Sequence, residues 1–330
     1  MRIAFFSTKK YDRDSFSSLV KDYGFQIDFL EAKLDHQSAI LAQGHDVVCA
    51  FVNDQIDSKT LEILSKERVK LIALRCAGYN QVDLEKAKEL GIRIVRVPAY
   101  SPEAVAEHTF ALILTLSRKT HKAYNRVRES NFSLEGLTGF NIFQKTVGVI
   151  GTGAIGRAFC KIALGFGCKV LAFDVMKNAE MKKIGVQYCS LDELFAHSQI
   201  ISLHCPLTPD THHIINKKAM EKMKDGTMLI NTSRGALIDT KAVISALKKG
   251  KVGFLGIDVY EQEEDLFFQN LSEQILKDDQ ISRLMTFPNV LITGHQAFLT
   301  KEALHQIAFT TLENIAAFAS DSELVNEVKA

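Results

Sequence analysis

The sequence predicts a two-domain α/β protein built on parallel sheets. Short apolar runs alternate with polar-faced segments along most of the chain, which is typical of βα units. The chain has 330 residues, more than the roughly 250–300 at which a single hydrophobic core stops growing. A glycine-rich turn at 151–156 follows one apolar run and precedes a helical pattern, as in doubly wound folds.

Strand and helix patterns alternate through the first hundred residues. Helices are predicted at Ser58–Lys66 and Leu84–Leu90. Asp83 is suited to cap the second helix and Gly91 to end it. Five strands are predicted, at Arg2–Phe6, Phe25–Leu30, Val47–Val52, Lys70–Leu74 and Ile92–Val97. These elements form one α/β layer.

A second α/β layer begins after a long helical region. Ser101 and Pro102 favour a helix start, and helical patterns continue to about Ser130, followed by a crossing segment at 131–145. The interval 261–289 has no clear periodicity, and we expect a long functional insertion there. Six further strands are predicted, at Thr146–Ile150, Lys169–Phe173, Ile200–His204, Thr227–Asn231, Gly253–Val259 and Val290–Thr293. Their number and order fit a doubly wound domain.

Composition excludes several classes of protein. Forty Lys and Arg against 39 Asp and Glu leave a net charge of +1, so a nucleic-acid partner is not expected. The six cysteines form no CxxC pair, and we predict neither a disulfide framework nor a metal site. No apolar run approaches the ~18 residues of a membrane span. We expect a cytoplasmic protein with no membrane partner.

The turn at Gly151, Gly153 and Gly156 is the sharpest local motif. The first glycine would permit a tight turn, the second would let a pyrophosphate approach the backbone, and the third would let helix and strand pack closely. A phosphate would then lie at the helix N-terminus. The motif predicts a dinucleotide site.

Asp174 indicates which dinucleotide is bound. It ends the next strand, 18 positions after Gly156, where a carboxylate binds the ribose hydroxyls and repels a 2′-phosphate. NAD is therefore favoured over NADP. Lys177 could weaken that discrimination, although a solvated lysine is the simpler interpretation.

Three side chains that suit hydride-transfer chemistry follow predicted strands. Arg234 could bind a carboxylate with two hydrogen bonds, and His295 suits proton transfer near neutral pH. Glu263 beside the imidazole would hold the ring in one tautomer and favour its protonated form. From spacing alone, an Arg or Glu after a strand is usually a surface ion pair, so the alternatives remain open at this point.

Seven further motifs lie in order along the chain, at Arg75–Asp83, Val97–His108, Gly151–Gly156, Leu203–Thr208, Asn231–Gly235, Asp258–Glu261 and Gly294–His295. Through these motifs the chain resembles the D-isomer-specific 2-hydroxyacid dehydrogenases over nearly its whole length. The segments 131–139, 263–266 and 295–300 are similar in particular to the lactate-forming branch of that family.

The resemblance implies a role for each site residue. Arg234, Glu263 and His295 would be the catalytic carboxylate anchor, the partner of the imidazole and the acid/base. Backbone amides around Ala77 and Gly78 would also hold the substrate carboxylate. The implied NAD contacts are Ala154 and Ile155 at the pyrophosphate, Asp174 at the ribose, Cys205 and Pro206 on the adenine side, and Thr232, Ser233 and Asp258 towards the nicotinamide. Cys205 would be a packing residue rather than a nucleophile.

The resemblance also implies the domain organisation. Residues 1–100 and 299–330 would form a split, flavodoxin-like substrate domain, and residues 101–298 a Rossmann NAD-binding domain, with the active site in the cleft between them. The helices at 101–130 would form the interface of a homodimer or homotetramer.

Pyruvate and D-lactate are the expected small-molecule substrate pair. Tyr100, Phe51 and Phe298 would wall a pocket suited to a methyl group. Two alternatives remain open: a dehydrogenase of another small 2-oxo acid, and an NADH-sensing binding protein of the corepressor type.

Overall fold

The computed structural model describes residues 1–329, so Ala330, the last residue of the predicted C-terminal segment, lies outside the described residues. The chain divides into two compact units. The first comprises Met1–Ser101 and the residues from Leu299 onward, and the second is Pro102–Phe298. Among the residues described, no helix is long and apolar enough to cross a membrane.

The first unit is built on a five-stranded parallel sheet with the order β2-β1-β3-β4-β5. Because β2 and β3 flank β1, this is the flavodoxin-like order, as predicted. The strands are β1 Arg2–Phe5, β2 Gln26–Phe29, β3 Val47–Ala50, β4 Leu71–Leu74 and β5 Arg93–Arg96.

Four helices accompany this sheet. They are α1 Lys10–Leu19, α2 Ser58–Lys66, α3 Leu84–Glu89 and α12 Lys301–Ala319, with short 3₁₀ turns at Val20–Asp22 and Ala39–Ala42. Asp83 caps α3 by accepting a hydrogen bond from the Lys86 amide, and Gly91 follows with a φ of +66°. The last helix, α12, packs on α1 and β4, so the C-terminal segment completes the core of the first unit.

The second unit is built on a seven-stranded parallel sheet with the order β12-β11-β10-β9-β6-β7-β8. The chain begins at the central strand, runs to one edge and then returns to fill the other, which is the doubly wound arrangement. The strands are β6 Thr146–Ile150, β7 Lys169–Phe173, β8 Gln187–Tyr188, β9 Ile200–Leu203, β10 Thr227–Asn231, β11 Val252–Ile257 and β12 Val290–Ile292.

Helices cover both faces of this sheet. One apolar cluster contains Leu194, Leu229 and Leu247, and another contains Phe110, Phe159 and Ile230. The helices are α4 Pro102–Arg118, α5 Thr120–Arg128, α6 Ala154–Gly165, α7 Ala179–Lys183, α8 Leu191–His197, α9 Lys217–Lys222, α10 Thr240–Lys248 and α11 Asp279–Met285.

Most predicted strands begin or end one or two residues from the observed bounds, and two larger details differ from the prediction. The short strand β8 was not predicted, because two residues cannot display an alternating pattern. The interval 261–289 is only partly irregular, since it contains a 3₁₀ turn at Glu263–Asp265 and the helix α11. Asp278 caps α11 by accepting from the amides of Gln280 and Ile281.

Candidate active site

The glycine turn joins β6 to α6 and is shaped by tight packing. Gly151 has a φ of +94°, a conformation that side chains other than glycine rarely adopt. A Cβ at Gly156 would lie 2.0 Å from the Gly151 carbonyl oxygen, whereas a Cβ at Gly153 would meet no atom within 4 Å. The backbone is therefore crowded where helix and strand meet and open at Gly153, where a ligand could approach.

The N-terminus of α6 can receive an anion. Gly153 is its N-cap and provides no side-chain hydrogen bond. Within residues 1–329, no acceptor takes a hydrogen bond from the amides of Ala154, Ile155 or Gly156. Unpaired amides at the positive end of a twelve-residue helix suit a phosphate.

Asp174 lies at the end of β7, beside this turn. Its carboxylate accepts hydrogen bonds from the amide and hydroxyl of Thr152 and from the Met176 amide. Burial raises the pKa of Asp174, but the backbone hydrogen bonds from Met176 and Thr152 outweigh it and bring the pKa below its ordinary value. A half-buried carboxylate that is ionised at neutral pH thus borders the phosphate turn. These residues fit a dinucleotide with free ribose hydroxyls.

Four other residues predicted to contact the cofactor follow β9 and β10. The Cys205 carbonyl accepts from the Ser233 hydroxyl at 2.8 Å, which ties the two loops together, and Pro206 is exposed. Burial raises the pKa of the Cys205 thiol to about 11, in keeping with a packing role. Thr232 is buried and shares a 2.7 Å hydrogen bond with Thr109 of α4.

Arg234 leaves the end of β10 through a constrained turn. The Asn231 side chain donates to the Arg234 carbonyl and accepts from the Ser233 amide, and the Arg234 guanidinium donates to the Ser233 carbonyl at 2.7 Å. A Cβ on Gly235 would lie 2.1 Å from the backbone of Tyr260. The turn that carries Arg234 therefore packs directly on the loop that follows β11.

His295 and Glu263 form a hydrogen-bonded pair. The distance from His295 Nδ1 to Glu263 Oε1 is 2.8 Å, and the other Glu263 oxygen accepts from the Tyr260 amide at 2.8 Å. Their side chains are 17% and 21% exposed, so the pair is shielded but reachable. A carboxylate in this position fixes the orientation of the imidazole ring and the nitrogen that faces it.

The backbone of His295 is held in an unusual conformation by Asp258. His295 has a φ of +53°, which costs a non-glycine residue about 1–2 kcal/mol. The Asp258 carbonyl accepts from the His295 amide at 2.7 Å, and its fully buried carboxylate accepts from the amides of Gln296 and Ala297 and from the Thr293 hydroxyl. Asp258 therefore shapes the turn that presents the imidazole.

Sequence reasoning missed two residues of α4 that support this site. His108 lies 3.4 Å from the Asp258 carboxylate and 3.1 Å from the Thr293 hydroxyl, and its neighbour Thr109 holds Thr232. Burial raises the pKa of Asp258, but hydrogen bonds from His108, Thr293 and the backbone lower it below its ordinary value. The signal was the polar run Glu107, His108 and Thr109 within a mainly apolar part of α4.

A second histidine–carboxylate pair lies near the Arg234 turn. His213 Nε2 is 2.6 Å from Glu261, and the same carboxylate accepts from the hydroxyl of Thr240. His212 lies within 4.8 Å of both ligating groups. Because Glu261 already bridges α10 and the His213 turn, we assign the group a structural role and predict no metal there.

In the first unit, the predicted carboxylate-binding loop follows β4. Residues 76–80 form a turn in which Ala77 and Gly78 are partly exposed. Tyr100 is partly exposed at the end of the same unit, and Phe51 is buried. Phe298, which is 7% exposed, ends the second unit.

The fold and these groups define a dinucleotide-dependent oxidoreductase of the doubly wound class. The family model for D-isomer-specific 2-hydroxyacid dehydrogenases, NAD-binding domain, matches residues 110–297. The chain belongs to this family and is an NAD-dependent D-2-hydroxyacid dehydrogenase.

Similar proteins extend the match to almost the whole chain. A 2-hydroxyacid dehydrogenase homolog of Haemophilus influenzae is 54% identical over 99% of both chains. The D-lactate dehydrogenase of Escherichia coli is 52% identical over 99% of this chain and 100% of its own. Its apo structure covers 99% of this chain and 100% of its own, with a TM-score of 0.92 and 50% identity. A structure from Aquifex aeolicus, described as D-lactate dehydrogenase complexed with NAD and lactic acid, covers 99% of both chains with a TM-score of 0.86 and 36% identity.

Proposed function

We propose that this enzyme reduces pyruvate to D-lactate, with His295 as the proton donor. The observation that carries the proposal is the 2.8 Å hydrogen bond between His295 and Glu263. The two residues lie just after the neighbouring strands β12 and β11 of the dinucleotide domain. The names of two similar proteins support the substrate: the D-lactate dehydrogenase of Escherichia coli and a structure described as the pyruvate reductase of Chlamydomonas reinhardtii, which is 48% identical.

The polar groups divide the chemistry among them. Arg234 binds the carboxylate of pyruvate, together with the amides of Ala77 and Gly78. When bound, NADH supplies a hydride to C2 of pyruvate, and His295 gives its proton to the keto oxygen, so that the products are lactate and NAD⁺. The charges of Arg234 and protonated His295 stabilise the negative charge that develops on that oxygen. Glu263 stabilises the imidazolium before the proton leaves.

NAD would be held mainly by the elements that surround the glycine turn. The turn and the first amides of α6 face the pyrophosphate, and Asp174 takes the ribose hydroxyls. The proposed contacts are Gly151, Gly153, Ala154, Ile155, Gly156, Asp174, Cys205, Pro206, Thr232, Ser233 and Asp258.

Asp174 is expected to set the preference for NADH. In Asp174→Asn the charge that repels a 2′-phosphate is lost while the size is kept, so kcat/KM with NADH should fall about tenfold and the NADPH to NADH ratio should rise about a hundredfold. Steady-state rates with both cofactors measure this. Asp192→Asn, an exposed residue of α8, is the control and should change neither value. An unaltered cofactor ratio in Asp174→Asn would remove Asp174 from this role.

The methyl group of pyruvate would contact aromatic side chains. Phe51, Tyr100 and Phe298 are the proposed walls, and none of them carries a charge that would suit a phosphorylated substrate. Small, unbranched 2-oxo acids should therefore be preferred.

The direct test follows NADH absorbance when the purified protein is mixed with pyruvate. Parallel reactions contain phenylpyruvate with NADH, and pyruvate with NADPH. We expect rapid loss of NADH with pyruvate, slower loss with the other two, and a product oxidised only by a D-specific enzyme. Faster turnover of phenylpyruvate than of pyruvate would indicate that the substrate is a bulkier 2-oxo acid. Binding of NADH without turnover of either acid would favour an NADH-sensing role.

We also propose that the enzyme is a homodimer or homotetramer that joins through the region around α5. Five large apolar side chains there are more than half exposed, and burying them against a second copy would remove them from water. They are Tyr124, Val127, Phe132, Leu134 and Phe143. Light scattering of the purified protein gives the number of copies.

A further inference from the structure

Hydrogen bonds to its carbonyl groups hold the loop at 76–80 in place. The Val97 amide donates to the Cys76 carbonyl at 3.2 Å, and the Cys76 thiol lies 3.2 Å from the Gly78 carbonyl. The Val82 amide donates to the Tyr79 carbonyl at 3.1 Å. The carbonyl of Ala77 accepts a hydrogen bond from a side chain of the neighbouring strand. This side chain is Arg96, and the distance from its Nη1 to the oxygen is 2.8 Å.

The orientation of these carbonyls fixes the orientation of the amides. In a trans peptide the N–H of one residue points opposite to the C=O of the residue before it, and the described residues contain no cis peptide. Arg96 binds the carbonyl of the Ala77–Gly78 peptide, so it turns the Gly78 amide to the opposite side. In the described part of the chain, no acceptor takes a hydrogen bond from the amides of Ala77 or Gly78. These are the two groups proposed to bind the substrate carboxylate.

Arg96 is itself rigidly placed. It ends β5, where it pairs with Leu74 of β4, so its side chain starts close to the loop. Its amide donates to the Asn326 carbonyl at 3.1 Å, and its carbonyl accepts from the Asn314 side chain at 2.9 Å. Its guanidinium also lies over the Tyr79 ring, 5.1 Å from the ring centre. Arg96 therefore contacts this loop on both sides of Gly78, at the Ala77 carbonyl and at the Tyr79 ring.

The charge of Arg96 is not neutralised by a neighbouring carboxylate. Among residues 1–329, it takes part in no ion pair within 4.0 Å, whereas Arg93 on the same strand is paired with Glu327 at 2.7 Å. A partly buried guanidinium without a counter-ion favours an anion nearby. Geometry and charge at this loop thus point to the same kind of ligand.

We propose that Arg96 is a positioning residue for the substrate carboxylate. It acts through the Ala77–Gly78 peptide, whose amide it orients, and adds positive charge to the loop. This inference rests on the proposed function, because it assumes that the loop binds a 2-oxo acid. Since every 2-oxo acid has the carboxylate, Arg96 should affect all such substrates equally and leave the choice between them unchanged.

The test compares Arg96→Ala, Arg96→Lys and the control Arg93→Ala. Losing a charged hydrogen bond and its orientation should raise the KM for pyruvate about ten- to hundredfold in Arg96→Ala, with kcat within about threefold. Lysine keeps the charge and one donor, so Arg96→Lys should recover part of the loss. Arg93→Ala should keep the wild-type KM. The ratio of kcat/KM for pyruvate to that for 2-oxobutyrate should be the same in all four proteins.

Two binding measurements distinguish a positioning role of Arg96 from a general loss of structure in the Arg96→Ala variant. NADH should bind Arg96→Ala with wild-type affinity, and oxamate, an unreactive analogue of pyruvate, should bind its NADH complex more weakly by the same factor as the rise in KM. An unchanged KM and oxamate affinity in Arg96→Ala, or a changed substrate ratio, would overturn the proposal. If Arg96→Ala does not fold, Arg96→Lys and Arg96→Gln are measured instead. Wild-type KM for pyruvate and wild-type oxamate affinity in both variants would then overturn the proposal.

Failure of the proposed role of Arg96 can be distinguished from failure of the proposed function. If wild type does not turn over pyruvate, the substrate assignment fails irrespective of any variant. If wild type turns over pyruvate and Arg96→Ala has the same KM, the substrate assignment stands and only the role of Arg96 fails.

Discussion

Replacing His295 is expected to lower the turnover of pyruvate by about 10²–10⁴-fold, the usual contribution of a positioned general acid. Among the side chains on the turn after β12, His295 is the one suited to proton transfer near neutral pH, since the Thr293 hydroxyl donates to Asp258 and Gln296, Ala297 and Phe298 follow. NADH should still bind, because the glycine turn and Asp174 lie on other loops. Stopped-flow measurement of NADH oxidation and fluorescence titration of NADH give the two quantities.

The choice of variant matters because His295 has a positive φ. Alanine would add backbone strain to the loss of the imidazole, whereas asparagine tolerates this conformation. His295→Asn is therefore the cleaner variant, and His295→Ala should show the same kinetic loss with lower thermal stability. His197→Ala, an exposed histidine of α8, is the control. Turnover near wild type in His295→Asn would remove His295 from catalysis.

The role of Glu263 can be tested in the same assays, with a substitution of the next residue in the sequence as the control. Glu263→Gln keeps an oxygen for the Tyr260 amide but removes the charge next to the imidazole. Reductive kcat/KM should fall about ten- to hundredfold, because the neutral glutamine no longer offsets the positive charge that the imidazole carries before it gives its proton. Glu264→Gln, the exposed next residue, should keep the wild-type kcat/KM. A wild-type kcat/KM in Glu263→Gln would show that the charge of Glu263 is not needed.

Most of the fold could be predicted because its signals are local. Strands buried on both faces are continuous apolar runs, and the glycine turn is set by steric limits that leave little choice of residue. The convergence of Arg234, Glu263 and His295 could also be anticipated, since they follow β10, β11 and β12, whose ends lie side by side in a parallel sheet. The roles of these three residues came from the family resemblance, because spacing alone does not distinguish a catalytic group from a surface ion pair.

The supporting residues could not be predicted because they depend on register. Arg96 reaches the Ala77 carbonyl only because it pairs with Leu74, three residues before that loop position. Asp258 reaches the turn at His295 because β11 and β12 align Ile257 with Ile292. A shift of one residue would turn each of these side chains to the other face of its sheet. The sequence therefore led to the proposed reacting groups, and the contacts that hold their loops came only from the structure.

Replacing Arg234 is expected to produce the second large loss. Arg234→Gln should lower kcat/KM for pyruvate by about 10²–10⁴-fold, since truncating one member of a charged, hydrogen-bonded pair costs about 2–5 kcal/mol. Part of the loss should appear in KM, because the carboxylate is bound throughout the reaction, and part in kcat, because one charge near the developing alkoxide is removed. NADH affinity should be unchanged. Arg283→Gln, on the exposed face of α11, is the control for loss of a positive charge.

Arg234→Lys distinguishes charge from geometry. Lysine keeps the charge but cannot form the two parallel hydrogen bonds of a guanidinium, so we expect kcat/KM to lie between wild type and Arg234→Gln, about ten- to hundredfold below wild type. Wild-type kinetics in Arg234→Lys would show that a point charge is sufficient. A wild-type KM in Arg234→Gln would show that the carboxylate is bound without Arg234. The loop held by Arg96 would then be its main anchor, and the KM of an Arg96→Ala, Arg234→Gln double variant should rise no more than that of Arg96→Ala alone.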